Sequence, residues 1–279
     1  MTTLDASQLP FLLRLLDDDS PQVRDKVAKA LRRLGPGVRS EIRELGVPLT
    51  DEQMALLEAI LPSEAPEAVA AKGNPWLYWM RLGDEYEKLE AAFSLLAEWH
   101  LGHDYPAQLA DLLDELAQEF WESGHLPDSE ALSVFLFHQK GFRGVEPNHY
   151  YEPGNSNLVS VIESRHGLPI SLASVFMLVG KRLGLEIYGC NFPGHFLARA
   201  RQGAEDIIFD CFNAGRMLSK SEVEALYKAI PAEMASPTPA VTMIARVLSN
   251  MAVAFDHEGE KVKMQFILTL LSELHDAMK

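Results

Sequence analysis

The sequence predicts an α+β protein that is mostly helical, and three observations support this class. Apolar residues recur at three- and four-residue spacing through most of the 279 positions, as in amphipathic helices. The stretch from Pro169 to Leu183 is apolar almost all the way round, which is typical of a helix buried on every side. Between Leu185 and Asp210, three short apolar segments indicate strands. We therefore expect a core made of one buried helix and a small antiparallel sheet, with additional helical segments before and after it.

Composition excludes several classes of protein. The chain has 25 basic and 40 acidic residues, a net charge of −15, and no basic cluster longer than Arg32–Arg33, so we expect no nucleic-acid partner. No uncharged apolar run approaches the roughly 18 residues that cross a membrane, and residues 1–10 do not resemble a signal peptide. The two cysteines, Cys190 and Cys211, predict no disulfide framework. We expect a cytoplasmic protein without a membrane partner.

Residues 1–62 are expected to form a separate helical segment. A helix from Leu9 to Leu16 should be followed by a second helix that has Ser20 as its N-cap and Pro21 in its first position. Two more helices are expected near 38–45 and 51–61. The run LLDDDSPQVRDKVAKALRRLG resembles a HEAT repeat. One or two such units cannot form a solenoid alone. The segment is therefore expected either to cap the helices that follow or to dock a partner.

Residues 63–88 are interpreted as a linker followed by a packing segment. The stretch 62–75 is rich in Ala, Glu and Pro, as linkers are. Directly after it comes an apolar cluster, which could line an exposed ligand site but more commonly anchors one segment on the next. The cluster consists of Trp76, Leu77, Trp79 and Met80.

The core is assigned to residues 89–230. Apolar faces that begin at Leu89, Leu109 and Leu132 predict three amphipathic helices. The polar, turn-rich stretch 148–158 then predicts a loop, with Asn155 or Ser156 capping the helix that follows.

We expect no metal or other cofactor. The most suggestive group of metal-ligating residues is His100, His103 and Asp104, but zinc sites need three or four ligands and no second ligand pair lies nearby in sequence.

The strands at the end of this core place a histidine opposite an aspartate. If the second and third strands turn through the four residues 201–204, then Ala200 faces Glu205 and His195 faces Asp210. Their Cβ atoms would be roughly 5 Å apart, close enough for a carboxylate to hold an imidazole in one tautomer. A register shifted by one residue would separate them onto opposite faces of the sheet.

A buried helix followed by a strand His and a strand Asp is the order found in papain-like transglutaminases. Residues 89–218 resemble the bacterial transglutaminase-like family named after the SirB invasion regulator. The matching motifs are GFRG at 141–144, YYEPGNSNL at 150–158, RHGLPISL at 165–172, NFPGHFLAR at 191–199, and the segment 210–215. The resemblance implies a papain/transglutaminase-like core.

In catalytic relatives the thiol nucleophile lies at the start of the buried helix, and here that position is occupied by Pro169. The nearest nucleophilic side chain is Ser171, and neither cysteine lies there. The resemblance therefore implies a degenerate triad, with His195 and Asp210 present and the cysteine absent. Residues expected to line the cleft are Asn155, Asn157, Arg165, Pro169 and Cys190.

Three functions are compatible with this sequence. The first is a non-catalytic module that binds a protein or peptide partner in the former cleft. The second is a hydrolase or acyl transferase that uses His195 and Asp210 with Ser171, Cys190 or water. The third is a structural or regulatory protein whose working surface is the HEAT-like segment.

The tail, residues 231–279, is expected to form a helical hairpin. Prolines at 231, 237 and 239 precede two amphipathic helices that are separated near Gly259. The run IARVLSNMAVAF at 244–255 resembles the first tetratricopeptide-like unit that often follows the family's domain. One hairpin is too short for a peptide-binding array, so we expect it to pack back on the body.

Overall fold

The structure is a computed structural model that describes residues 9–18, 20–33, 42, 49–60, 74–102, 105–192, 195–202, 205–229 and 236–279. The chain divides into two compact units, residues 1–73 and 74–279. Predictions that concern 38–41, 43–48, 61–73, His103, Asp104 or the turns at 193–194 and 203–204 lie outside the described residues.

The first unit contains the helices α1 (Leu9–Arg14), α2 (Pro21–Arg33) and α3 (Asp51–Ile60). Pro21 opens α2, as predicted, because a residue without an N–H leaves no unsatisfied donor in the first helical turn. The apolar faces of the helices meet in a small core of their own, formed by Leu9, Leu13, Leu16, Val27, Leu31, Ile42 and Leu57.

The second unit is α+β and mostly helical, as predicted. Its helices are α4 (Glu85–Leu101), α5 (Leu109–Glu122), α6 (Ser129–Ser133), α7 (Leu158–Ser164), α8 (Pro169–Arg182), α9 (Lys220–Ala229), α10 (Ala240–His257) and α11 (Lys261–Ala277). Its strands are β1 (Arg143–Gly144), β2 (His166–Gly167), β3 (Ile187–Phe192), β4 (His195–Gln202), β5 (Glu205–Asp210) and β6 (Arg216–Met217). Short 3-10 helices cover Pro75–Arg81, Pro147–His149 and Pro153–Ser156, and α6 continues as a π-helix over Val134–Gln139.

Helix α8 is the centre of this unit. Every residue from Pro169 to Gly180 is buried, which confirms the prediction from its apolar sequence. Pro169 occupies the first helical position, and Gly184 follows the helix with a φ of +77°, a conformation that glycine adopts without strain. In the last turn, Arg182 donates hydrogen bonds to Glu90 and Asp114 and so ties α8 to α4 and α5.

The four-stranded antiparallel sheet has the order β3-β4-β5-β6, and both of its faces are covered. Alternate residues of β4 and β5, including Phe196, Ala198 and Phe209, enter the main core with α8. The opposite face carries a second apolar cluster of Cys190, Phe192, Leu197 and Ile208, which packs against Leu218 and against Val223 of α9.

The predicted register between β4 and β5 was wrong by two residues. Gln202 pairs with Glu205 and Ala200 pairs with Ile207, so the connection between the strands is two residues long rather than four. Because side chains alternate with a period of two, this shift leaves His195 and Asp210 on the same face. The two residues are diagonal neighbours across the strands rather than directly opposed.

The tail packs back on the body, as predicted. Helices α10 and α11 contribute to the main core, and Phe266 of α11 stacks on Trp99 of α4 with the ring centroids 4.9 Å apart. Trp76 contacts both rings, which confirms the apolar cluster at 76–80 as a packing segment. The tetratricopeptide-like character of the hairpin stays a prediction.

Candidate functional site

His195 and Asp210 form a hydrogen-bonded pair at the end of the sheet. The His195 Nε2 atom lies 2.9 Å from Asp210 Oδ1, which confirms the predicted contact. The carboxylate side chain is only 6% exposed, whereas the imidazole is 32% exposed. Asp210 is therefore the buried member of the pair, and His195 is the member that solvent and ligands can reach.

Asn213 holds the other side of the Asp210 carboxylate. Its Nδ2 donates to Oδ2 over 2.7 Å, and its backbone N–H donates to Oδ1 over 3.1 Å. Burial by itself raises the pKa of Asp210, but the hydrogen bonds from His195 and Asn213 outweigh burial, and the pKa lies below its ordinary value of 3.8. Asp210 is thus kept ionised, and its Oδ1 atom is in position to accept a hydrogen bond from the protonated Nε2 of His195.

The turn that carries Asn213 is held by α6 and its π-helical continuation. Gly215 lies in the left-handed region at a φ of +68°, and its carbonyl accepts a hydrogen bond from Ser133 Oγ over 2.9 Å. A Cβ atom at Gly215 would overlap Phe137 and Ser133. π-Helical turns often occur beside functional sites, and here one shapes the support of the pair.

No nucleophilic side chain among the described residues contacts His195. Ser171 Oγ is buried and donates to the backbone carbonyl of Asn155 over 2.7 Å, so it serves as a structural cross-link. Cys190 and Cys211 are buried free thiols, and burial raises the pKa of Cys190 to about 11 and the pKa of Cys211 well above its ordinary value. A neutral thiol is a poor nucleophile. None of these three side chains forms a hydrogen bond with His195, which a base needs with the group it activates.

A groove of about 820 Å³ adjoins the pair. Phe212 lies in its wall with its ring edge-to-face to the His195 imidazole, at a centroid distance of 6.3 Å. The lining is largely apolar and aromatic with a few polar groups, as in ligand pockets generally. It consists of Arg143, Gly144, Val145, Glu146, Pro147, Tyr150, Tyr151, Phe212, Asn213 and Ala214.

A family model described as the transglutaminase-like superfamily matches residues 103–249, more than half of the chain. The chain belongs to the transglutaminase-like superfamily. A separate HEAT repeat model matches residues 9–38, which confirms the resemblance of the first segment. No solved structure matches the chain.

The relatives of this transglutaminase-like chain are bacterial and animal. It is 35% identical over 169 residues to a UPF0162 protein of Xylella fastidiosa, a match that covers 53% of this chain and 59% of the relative. A UPF0162 protein of Pseudomonas aeruginosa is 31% identical, over 58% of this chain and 63% of that protein. Human F-box only protein 21 is 29% identical over 47% of this chain, but over 22% of its own length. The matched region thus spans about six tenths of the length of these two bacterial relatives.

None of the five residues predicted to line the cleft lines this groove. Cys190 lies in the apolar cluster on the face of the sheet that is turned away from α8, and Pro169 is buried at the start of α8. Arg165 follows α7 in the left-handed conformation, with its guanidinium 4.8 Å above the Phe142 ring. The cleft-lining role of these residues stays a prediction, because pleat and helix packing, which motif proximity does not reveal, decide where a side chain lies.

The two asparagines are buried structural residues. Asn155 Nδ2 donates to the carbonyls of His149 and Tyr150 and so shapes the turn that presents the groove tyrosines. Asn157, rather than Asn155 or Ser156, caps α7 by accepting from the N–H groups of residues 159 and 160. Its amide also lies 3.2 Å from His100 Nδ1, and burial lowers the pKa of that histidine.

The groove residues that the sequence did not single out include Arg143, Tyr151, Phe212 and Asn213. A signal was present for each, because all four lie in or next to motifs that carried the family resemblance. In GFRG, for example, Gly144 allows the Phe212 ring to lie against the backbone, since a Cβ there would meet the ring at 2.6 Å. The motif marks the floor of the groove.

The described parts of the chain contain no group of three or more His, Cys, Asp or Glu residues that could hold a metal ion. Within the same parts, no helix combines the length and the apolarity that crossing a membrane requires.

Proposed function

We propose that this protein is a non-catalytic transglutaminase-like module that binds a protein or peptide in the groove beside His195. The observation that carries the proposal is the asymmetry of the site. The His195–Asp210 pair is intact at 2.9 Å, whereas Ser171 Oγ in the first turn of α8 is used in a hydrogen bond to the carbonyl of Asn155. Superfamily membership supports a cleft at this place, and the aromatic groove supplies the surface.

The groove suits a short peptide segment better than a large flat partner. Tyr150 and Tyr151 contact each other edge-to-face at 5.4 Å, and the Tyr151 ring stacks on His257 of α10. Rigid aromatic side chains of this kind provide contact area at a low cost in conformational entropy. We place the binding in the cytoplasm, where both buried cysteines stay reduced.

A peptide array tests the binding. Purified full-length chain is applied to immobilised random dodecapeptides, and the Tyr151→Ala variant is compared with Tyr78→Ala, which removes an exposed tyrosine outside the groove. We expect a reproducible set of bound peptides that Tyr151→Ala weakens about tenfold and Tyr78→Ala leaves unchanged. Equal binding by the wild type and Tyr151→Ala would place recognition elsewhere on the surface.

A second candidate is a hydrolase that uses water, and the exposure of His195 favours it. Its Nδ1 atom has no hydrogen-bond partner among the described residues, so it can accept a proton from a water molecule whose oxygen then attacks a carbonyl carbon. A panel of peptidase, esterase and acyl-transfer substrates with the wild type and His195→Ala separates the two candidates. We expect no turnover from either protein; turnover that His195→Ala abolishes would establish the enzyme and overturn the binding module.

A further inference from the structure

Arg143 reaches the groove in a conformation held by a histidine. Its Nε–H donates to His166 Nε2 over 2.8 Å, and His166 Nδ1 lies 2.6 Å from the backbone carbonyl of Ser164. A carbonyl only accepts, so His166 carries its proton on Nδ1 and offers a lone pair on Nε2. The imidazole therefore fixes the direction of the Arg143 side chain while leaving its terminal nitrogens available.

The end of the Arg143 guanidinium has no acidic partner within the described residues. Several other arginines of this unit are paired with carboxylates, for example Arg182 with Glu90 and Asp114, and Arg216 with Glu222. In a chain with a net charge of −15, an arginine left without a carboxylate beside an aromatic groove stands out. Its two terminal nitrogens form the fork that binds a carboxylate through two parallel hydrogen bonds.

A second guanidinium strengthens the positive character of this end of the sheet. Arg246 of α10 donates to Asn191 Oδ1 and, over 3.3 Å, to the carbonyl of Phe192, the residue that pairs with His195. It also has no carboxylate partner among the described residues, and Tyr150 of the groove is close enough to influence it electrostatically. Burial lowers the pKa of this arginine, which remains charged at neutral pH.

We propose that the groove selects peptide segments that present one Asp or Glu carboxylate to Arg143, with an apolar neighbour against Tyr151 and Phe212. This inference rests on the proposed binding function and names the chemistry of its ligand. Glu146 lines the same groove and would repel a second negative charge. The site thus favours a single carboxylate over an acidic cluster or a phosphorylated residue, and His166 acts as the positioning residue of Arg143.

The test uses matched peptides on the full-length chain. Each array peptide that contains one Glu is accompanied by twins in which Gln or phosphoserine replaces it, and binding is quantified by fluorescence anisotropy with labelled copies. We expect the wild type to prefer Glu over Gln about tenfold and Glu over phosphoserine. Arg143→Gln should remove the preference for Glu while it keeps the weaker binding of the Gln twin.

Three further variants complete the design. Arg81→Gln makes the same change in charge at an exposed arginine outside the groove and should retain the preference. His166→Gln keeps an acceptor for Arg143 Nε–H and should retain most of the preference for Glu. His166→Phe has no such acceptor and should lose the preference, although its melting temperature should equal that of the other variants. Binding of Glu and Gln twins with equal affinity overturns this inference alone, as does stronger binding of phosphoserine. A chain that binds no peptide overturns the proposed function as well.

Discussion

The first turn of α8 and the ends of β4 and β5, which we call the helix half and the strand half of the site, use their polar side chains differently. At the helix start, Pro169 and Ser171 are buried, and the serine hydroxyl cross-links α8 to the loop that precedes α7. At the strand ends, His195 and Asp210 keep the geometry of a base and its orienting carboxylate. The helix half is part of the packed interior, while the strand half presents a polar group at the surface.

The strand half is held by a network of hydrogen bonds that does not involve the helix half. Its support is extensive, since Asn213 binds both oxygens of Asp210 and the turn that contains Asn213 rests on the π-helix. A carboxylate this buried is costly unless it is hydrogen-bonded, so this network is what keeps the exposed imidazole in place. The imidazole lies next to the groove through its contact with Phe212, which lines it.

The largest effect is expected from removing the support of the strand half. Gly215→Ala introduces a Cβ that overlaps Phe137 and Ser133 at a backbone φ of +68°, and we expect it to lower the free energy of unfolding by about 3 kcal/mol or more. Gly184→Ala is the matched control, because its φ is +77° but no atom lies within 4 Å of the added carbon. Urea denaturation of both variants measures the difference. Equal losses would mean that the turn is free to move and does not hold Asn213.

An intermediate and pH-dependent effect is expected from the pair itself. Asp210→Asn should cost about 2 kcal/mol at pH 7, because it removes the charge that the hydrogen bonds of His195 and Asn213 stabilise. The folded pKa of Asp210 is lowered, so its contribution is fully present above the ordinary value of 3.8 and is lost as the pH falls through the lower folded value.

The stability gap between the wild type and Asp210→Asn should therefore persist at pH 5 and shrink below pH 3.8. Urea denaturation across this range measures it. Glu258→Gln, at an exposed carboxylate that forms no ion pair with the described residues, should show no such change. A gap that widens in acid would contradict the assignment of Asp210 as the stabilised carboxylate.

The smallest effect is expected at the helix half. Ser171→Ala should cost about 1 kcal/mol, since the Asn155 carbonyl loses one hydrogen bond but keeps the N–H of Leu168 at 3.2 Å. Ser174→Ala is the control, because that buried hydroxyl bonds only the carbonyl of Ile170 within its own helix. Melting temperatures of the two variants make the comparison. If Ser171→Ala instead abolished a hydrolytic activity without changing stability, the helix half would still be catalytic.

Much of the fold was accessible from local patterns. Helix α8 was predicted from its apolar sequence between Pro169 and Gly184, and the tail hairpin from its two amphipathic faces. The His195–Asp210 contact was predicted although the assumed turn was two residues too long, because an even shift preserves the face of a strand. A shift of one residue would have placed the two side chains on opposite faces.

The sequence by itself determined the helices, the fold class and the pairing of an imidazole with a carboxylate, because periodicity and turn chemistry act between residues close together in the chain. Only the tertiary structure decided what surrounds that pair. Arg143, Tyr151 and Phe212 come from three segments that meet only after folding, and Asn155 is turned inward by contacts with its own loop. A side chain's role at a site depends on neighbours distant in sequence, and no local pattern encodes their positions.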